Sequence, residues 1–228
     1  MSGLLLAGFV KVCLVLILIS EAFILTRRHI FGLFNTYRAQ SILIAAVALF
    51  LFFKTGNIVL LYTAILTVLS KCLLLPYILK KAQKSMHISH DVEFRFLQPS
   101  SSIFISIFII LMVHIVFSKV LTGLALSNLF YIGSVLGVSL TLIGMMILFT
   151  RKQIISKMVG YLTMENGVVL FGLFISELPL LIEVFILMDL IMLVVIAGIL
   201  SFGVTSTIEE FHVKLNPLRN WFNEGEES

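Results

Sequence analysis

The sequence is short of charge and of cysteine, and each shortage excludes a class of protein. Only 12% of the 228 residues are charged, about half the fraction of an ordinary soluble domain, whereas 60% are hydrophobic. This balance excludes a soluble enzyme built around a single core. Cys13 and Cys72 are the only cysteines and both lie inside apolar runs, which argues against a disulfide framework and a cysteine-bound metal or iron–sulfur centre. We therefore expect neither a cofactor nor a metal ion on this chain.

Long apolar runs predict an all-α, polytopic membrane protein. A membrane-spanning helix needs about 20 mostly apolar residues, whereas strands of transmembrane barrels show segments of about ten alternating residues. The runs in this sequence are too long for such strands. Bounded by charged or helix-breaking residues, they give seven spans, at 4–25, 30–53, 58–79, 101–117, 126–149, 154–176 and 180–202.

Basic residues predict how these spans are oriented, because loops rich in Lys and Arg resist translocation. With seven spans, only Lys54 and Lys119 fall on one side of the membrane. The other side collects Arg27, Arg28, Lys80, Lys81, Lys84, Arg95, Arg151, Lys152, Lys214 and Arg219. We therefore expect a cytoplasmic C-terminus and an outer N-terminus, and we attribute the net charge of +4 to topology rather than to nucleic-acid binding.

A faint internal repeat predicts the domain organisation. Residues 26–44 resemble residues 150–170, because both segments open with a basic pair after one span and carry a Tyr and a central polar residue in the next. Two parallel three-helix repeats joined by one extra helix fit this pattern. The expected divisions are a first three-helix repeat at 1–80, a cytoplasmic loop at 81–100, a linker helix at 101–119, a second three-helix repeat at 120–203 and a cytoplasmic tail at 204–228.

Ionisable residues inside the predicted spans are the candidates for function. Each costs about 2.5 to 3.5 kcal/mol to insert and needs a partner or a water-filled cavity. The set comprises Lys11, Arg38, Lys71, Glu165, Glu183 and Asp189. Glu165 lies about 16 Å and Asp189 about 14 Å into adjacent antiparallel helices, near the midplane of a hydrocarbon layer about 30 Å thick. Two such carboxylates can pass a proton or a cation between them.

Two basic residues are expected at a similar depth in the first repeat. Arg38 lies about 12 Å from the cytoplasmic end of its helix, and Lys71 about 20 Å from the outer end of its own. Both are expected to be counterions of the acids, either in an ion pathway or in fixed structural pairs. Glu183 belongs to the same candidate pathway but lies nearer the outer boundary. Glu21 and Lys157, within about two turns of the cytoplasmic face, are interpreted as boundary residues.

Residues beside these candidates predict local helix geometry. Asn166 and Gly167 directly follow Glu165, and such residues allow hydrogen bonds and close approach between membrane helices. Pro76 follows Lys71 by a little over one turn, where it is expected to kink the third span and free backbone carbonyls.

Four segments of the chain resemble one protein family. HyfE, the E component of hydrogenase-4 and formate hydrogenlyase-like complexes, has a C-terminal part similar to RKQIISKMVGYLTMENGVVLFGLF and LPLLIEVFILMDLIMLVVIAGIL. Its N-terminal half is similar to YRAQS and LSKCLLLPYIL. The likeness covers most of residues 27–200, and GYLTMENG is the most discriminating piece.

The resemblance implies a membrane subunit of an energy-converting group 4 nickel–iron hydrogenase, in the cell membrane of a prokaryote. Such a subunit catalyses nothing alone. The resemblance also implies that partner subunits hold a nickel–iron centre and iron–sulfur clusters. It further implies that the chain contacts antiporter-like membrane-arm subunits, the hydrogenase module and lipid.

The same resemblance assigns the carboxylates. The E component is similar to NuoK, the K-type subunit of respiratory complex I, whose second and third helices each carry a carboxylate on the proton path. Spans five to seven resemble that trio, so Asp189 matches the third-helix carboxylate. Leu162 occupies the second-helix position, and Glu165 follows it by one turn, about 4.5 Å along the axis.

Three functions are open at this point. The first is a subunit that helps to conduct protons, or Na+, in step with redox chemistry in its partners. The second is a structural scaffold of the membrane arm whose buried charges only hold helices together. The third is a stand-alone secondary transporter, for which repeats and midplane charges are also expected.

Overall fold

The computed structural model describes residues 2–75, 77, 98–120, 128–175, 191 and 194. Within these ranges the protein is all-helical, as predicted, and it forms no β-strand beyond isolated bridges at His29 and Arg151. The elements are α1 (Ser2–Thr26), α2 (Ile30–Thr55), α3 (Ile58–Thr67), a π-helical segment (Val68–Leu74), α4 (Pro99–Val120), α5 (Asn128–Thr150) and α6 (Ile154–Ile175).

Four of these helices are long and apolar enough to cross a membrane, which is compatible with a membrane location. The four stretches are Ala7–Thr26, Ile30–Thr55, Pro99–Val120 and Asn128–Thr150. The predicted starts and ends of the spans in α1, α2, α4, α5 and α6 differ from the observed ones by at most three residues. The seventh predicted span apart from residues 191 and 194, most of the predicted loop and the predicted tail lie outside the described residues.

A tight turn reverses the chain between α2 and α3. Gly56 adopts a left-handed conformation with φ of 71°, and its N–H donates to the Phe52 carbonyl, which closes the end of α2. Asn57 then starts α3 by accepting the Val59 N–H on its side chain. Because glycine adopts positive φ without steric cost and Asn is a favoured N-cap, this Gly-Asn pair both ends one helix and begins the next.

Glycines bring α5 and α6 into backbone contact. A Cβ atom at Gly144 would overlap the Met164 backbone, and one at Gly167 would overlap the Thr141 backbone. Gly160 likewise faces the backbone of α5. Small residues at such spacing let membrane helices approach closely, so the two helices form the tightest pair in the described bundle.

The remaining helices assemble around α2 and α5. Helix α2 contacts α1, α3, the π-helical segment and α6, whereas the main contacts of α4 with the other described elements are those with α5 and α1. Of its residues, α4 buries only Ser102, Ser106 and Val113. The described part of the protein is therefore a packed bundle with α4 at its edge.

The two basic turns lie at the same end of the bundle. Arg151, between α5 and α6, is buried, and its Nη2 donates to the Leu25 carbonyl at 2.9 Å and lies 3.5 Å from the Ile24 carbonyl. It therefore satisfies carbonyls at the end of α1, where a cation is favoured. Burial lowers the pKa of Arg151 to about 10, so the guanidinium stays charged near neutral pH.

Candidate functional site

A layer of polar side chains divides the core into two apolar clusters. One cluster includes Ile24, Tyr37 and Leu162, towards the basic turns. The other includes Ile17 and Ile44, towards the opposite end. Between them, on the same helices, the structure buries polar residues, which we call the polar layer: Glu21, Gln40, Ser41, Lys71, Glu165 and Asn166.

The centre of the polar layer is an ion pair between Lys71 and Glu165. Lys71 Nζ lies 2.9 Å from Glu165 Oε1, and the two side chains are 2% and 0% exposed. The lysine comes from the π-helical segment and the glutamate from α6. Because a buried charge is stable only with a partner, each of these residues holds the other in place.

Asn166 connects this pair to α2. Its Oδ1 accepts from Lys71 Nζ at 3.4 Å, while its Nδ2 donates to Gln40 Oε1 at 3.0 Å and to Ser41 Oγ at 3.1 Å. One amide therefore uses both its acceptor and its donors across two helix interfaces. Hydrogen bonds of this kind between side chains hold membrane helices together.

Gln40 extends the connection to α1. Its Nε2 donates to Glu21 Oε2 at 2.9 Å, and Glu21 is 2% exposed. The polar layer thus joins α1, α2, the π-helical segment and α6. From Lys71 through Asn166 and Gln40 to Glu21, every hydrogen bond is donated in the same direction.

A local change of helix type accompanies Lys71. The Leu75 N–H donates to the Ser70 carbonyl, five residues back, as in a π-helix. Pro76, from which the sequence predicts a kink, lies outside the described residues, and the widened turn comes before it. Such π-helical turns are frequent at functional sites, and this one carries the buried lysine.

The structure brings together two of the predicted site residues and separates a third. Lys71 and Glu165 form the ion pair, in agreement with the predicted pairing of a base in the first repeat with an acid in the second. Arg38 is exposed and outside the polar layer, so its predicted pairing with these acids is not seen. Asp189 and Glu183 lie outside the described residues. Lys11 is exposed on α1.

Glu21 belongs to the site although the sequence did not single it out. The sequence interpretation places it near the cytoplasmic face, and the structure shows that it is buried and hydrogen-bonded within the bundle. Gln40 and Ser41 were missed because neither is ionisable. The internal repeat held a signal for them, since aligning Thr26 with Thr150 places Ser41 at the position of Glu165.

The chemistry available in the polar layer is that of charge and proton binding. It contains one cation, two carboxyl groups, two amides and one hydroxyl, enclosed between apolar clusters. Among the described residues, no three His, Cys, Asp or Glu side chains come together as metal ligands. Cys13 and Cys72 are buried free thiols. The layer therefore suits ion pairing and proton exchange.

Comparison with known proteins gives no family for this chain. No protein-family model matches it, and no curated protein or solved structure does either.

Proposed function

We propose that this chain is an integral-membrane subunit of an energy-converting group 4 nickel–iron hydrogenase or formate hydrogenlyase-like complex, where it contributes to proton or Na+ translocation. The observation that carries the proposal is the buried Lys71–Glu165 ion pair inside a polar layer that crosses four elements. The assignment to that complex comes from the resemblance to HyfE. By itself the chain catalyses nothing, and the redox centres belong to partner subunits.

The proposal includes a full topology and a pathway. Seven spans in two parallel three-helix repeats place the N-terminus outside and the C-terminus in the cytoplasm of a prokaryotic cell. Glu165 and Asp189 are the carboxylates of the pathway, Lys71 adjusts them, and Glu183 lies towards its outer end. Contacts with antiporter-like subunits and the hydrogenase module complete the assembly.

Partner exchange by Lys71 supplies the elementary step. Its ammonium group lies 2.9 Å from Glu165 and 3.4 Å from Asn166 Oδ1, so it has a charged and a neutral acceptor side by side. When Glu165 takes up a proton, the attraction between the two groups falls and Lys71 turns to other acceptors. A redox-driven change in a partner subunit can act on this balance by favouring one arrangement over the other.

The test is redox-coupled ion pumping by the reconstituted complex with Glu165→Gln, compared with wild type at matched assembly. Lys11→Gln is the control, because it removes an exposed charge from the same bundle. We expect Glu165→Gln to leave redox turnover in place while pumping falls sharply, and Lys11→Gln to change neither. If pumping is unchanged with Glu165→Gln, the ion pair is only structural and the chain is a scaffold.

A second experiment separates a subunit from a stand-alone transporter. The chain is expressed without its partners, purified and reconstituted in vesicles. A subunit is expected to be unstable or inactive alone. Ion transport by the isolated chain would favour the transporter.

A further inference from the structure

Glu21 is a buried acid that takes no part in the Lys71–Glu165 ion pair. Its Oε2 accepts the hydrogen bond from Gln40, but in the described part of the chain Oε1 has no hydrogen-bond partner, and no described Lys or Arg forms an ion pair with this residue. A buried carboxyl group without a cation is much less costly as the neutral acid. The geometry around Glu21 therefore favours a bound proton.

A groove beside Glu21 makes the carboxyl group reachable from the membrane. It lies between α1 and α4, has a volume of about 290 Å³ and is lined by Glu21 together with apolar side chains such as Leu25, Ile107 and Ile143. Ser106 is the other polar side chain among the described lining residues. Among the described lining residues Glu21 is the one titratable group, so a lipid-soluble reagent that enters the groove meets this acid there.

The hydrogen-bond chain connects Glu21 to the ion pair. Gln40 and Asn166 are the two intermediate groups, and each donates towards Glu21 while accepting from the side of Lys71. Hydrogen bonds to a charged acceptor are about twice as strong as those to a neutral one, and each bond in a chain polarises the next. Protonation of Glu21 therefore weakens the hydrogen bond from Lys71 to Asn166, so that Lys71 interacts more strongly with Glu165.

We infer that Glu21 is a second proton-binding site of the bundle, coupled to the Lys71–Glu165 pair through Gln40 and Asn166. The inference deepens the proposed function, because it gives the ion pathway a second acid on α1. Amide groups do not pass protons readily, so Gln40 and Asn166 carry the electrostatic influence of one site to the other rather than the proton itself.

Dicyclohexylcarbodiimide tests the site directly. The reagent reacts with protonated carboxyl groups in apolar surroundings: a carboxyl oxygen adds to the carbodiimide carbon, the proton moves to a nitrogen, and rearrangement gives a stable acylurea. With the whole complex in its membrane, mass spectrometry is expected to find the adduct on Glu21, none on ion-paired Glu165, and none at position 21 in Glu21→Gln. Gln40→Leu removes the donor that stabilises the anion, so it should increase labelling.

The coupling has its own measurement. Glu165→Gln leaves Lys71 without its carboxylate, so the uncompensated charge favours an anionic Glu21 and labelling should fall about fivefold, an ordinary coupling between linked buried groups. In an Asn166→Leu background, where the chain is cut, Glu165→Gln should lower the labelling rate much less, because only the through-space attraction of Lys71 remains. An equal fall in both backgrounds would contradict coupling through the amides.

The outcomes also separate this inference from the proposed function. Infrared spectra give a reading without reagent, because wild type should show a protonated carboxyl absorption that Glu21→Gln lacks. If that absorption and the label are both absent from the assembled complex, the inference is wrong, whatever the pumping result. If Glu21 is labelled and coupled but Glu165→Gln pumps normally, the translocation function is wrong and the proton site remains.

Discussion

The hairpins α1–α2 and α5–α6 share a layout but are held together differently. Each reverses direction through three residues that begin with a basic pair, at 27–29 and at 151–153. In the second hairpin, glycines such as Gly144 and Gly167 allow backbone contact. In the first, a Cβ on Gly8 would meet nothing and one on Gly32 would meet only the Arg27 side chain. Side chains, including the Glu21–Gln40 hydrogen bond, therefore hold α1 to α2.

This difference indicates that the two hairpins have different mechanical roles in the bundle. The glycine-packed hairpin is a rigid platform, because closely packed helices have little freedom to shift. It carries Glu165 and Asn166 at a fixed height. The first hairpin and the π-helical segment reach the platform through buried polar side chains, whose hydrogen bonds respond to a change of charge. Mutations on the two sides should therefore fail in different ways.

The largest effect is expected from Lys71→Met, which breaks the link between the platform and the π-helical segment. It leaves the buried Glu165 without its cation, a change that typically costs about 3 to 5 kcal/mol. Unfolding of the detergent-solubilised protein by denaturant measures the loss, with Lys11→Met as the exposed control. The double variant Lys71→Met/Glu165→Met should recover most of the stability, because two apolar side chains can replace a buried pair. A single variant as stable as wild type would contradict a fixed pair.

Gly144→Leu tests the platform itself. The added side chain must displace the Met164 backbone, so we expect a loss of about 3 kcal/mol, at the upper end for overpacking. Gly8→Leu is the matched control in the first hairpin, where a Cβ atom would meet nothing within 4 Å. It should leave stability unchanged or raise it by up to about 1 kcal/mol, since leucine is a better helix former than glycine. If both variants lower the temperature of thermal unfolding equally, the two hairpins do not differ in how tightly their helices pack.

A third comparison uses the equivalent arginines of the two turns. Arg151→Met removes buried charge-assisted hydrogen bonds to the end of α1, at about 2 kcal/mol. Arg27 is exposed and lies 5.5 Å from the centre of the Phe23 ring, so Arg27→Met should cost less than about 1 kcal/mol. Protease digestion of the intact protein, followed over time, should detect faster cleavage only in the first variant.

The smallest effect is expected at the edge of the polar layer. Ser41→Ala removes one of the acceptors of Asn166 and should cost about 1 kcal/mol. Thr36→Ala, on the same helix, removes a hydroxyl that bonds only to the Gly32 carbonyl within its own helix, and should be nearly neutral. Equal destabilisation in denaturant unfolding would mean that Ser41 contributes nothing across the interface.

Depth along a helix could be predicted from the sequence, whereas the face of the helix could not. Apolar runs between charges located five helices closely, and depth predicted Lys71 and Arg38 as counterions of the acids, of which the structure shows the Lys71–Glu165 pair. Arg38 shows the limit. It lies two residues before Gln40, which is a rotation of about 200° around the axis, so it faces away from the layer although its height is similar. With apolar residues on every side of α2, no periodicity marked its buried face.

Tertiary packing also explains why Glu21 was not predicted as part of the site. Its distance from Arg27 and Arg28 indicated a boundary residue, and the packing of α2 and α4 against α1 encloses it. The contact between Gln40 and Asn166 likewise joins residues 126 positions apart. Such long-range pairs leave no trace in local composition.

The π-helical segment has a mechanical consequence for the bundle. Each π-helical hydrogen bond reaches back five residues rather than the four of an α-helix, so this turn contains one extra residue. The extra residue changes the rotation between the helical stretches on its two sides. Conversion of that turn to α-helix would turn one half of the helix about its axis relative to the other by about 100°. Lys71 sits within this turn. A change of hydrogen-bond register would thus carry the ammonium group away from Glu165, and the packing of the half that turns would have to shift with it.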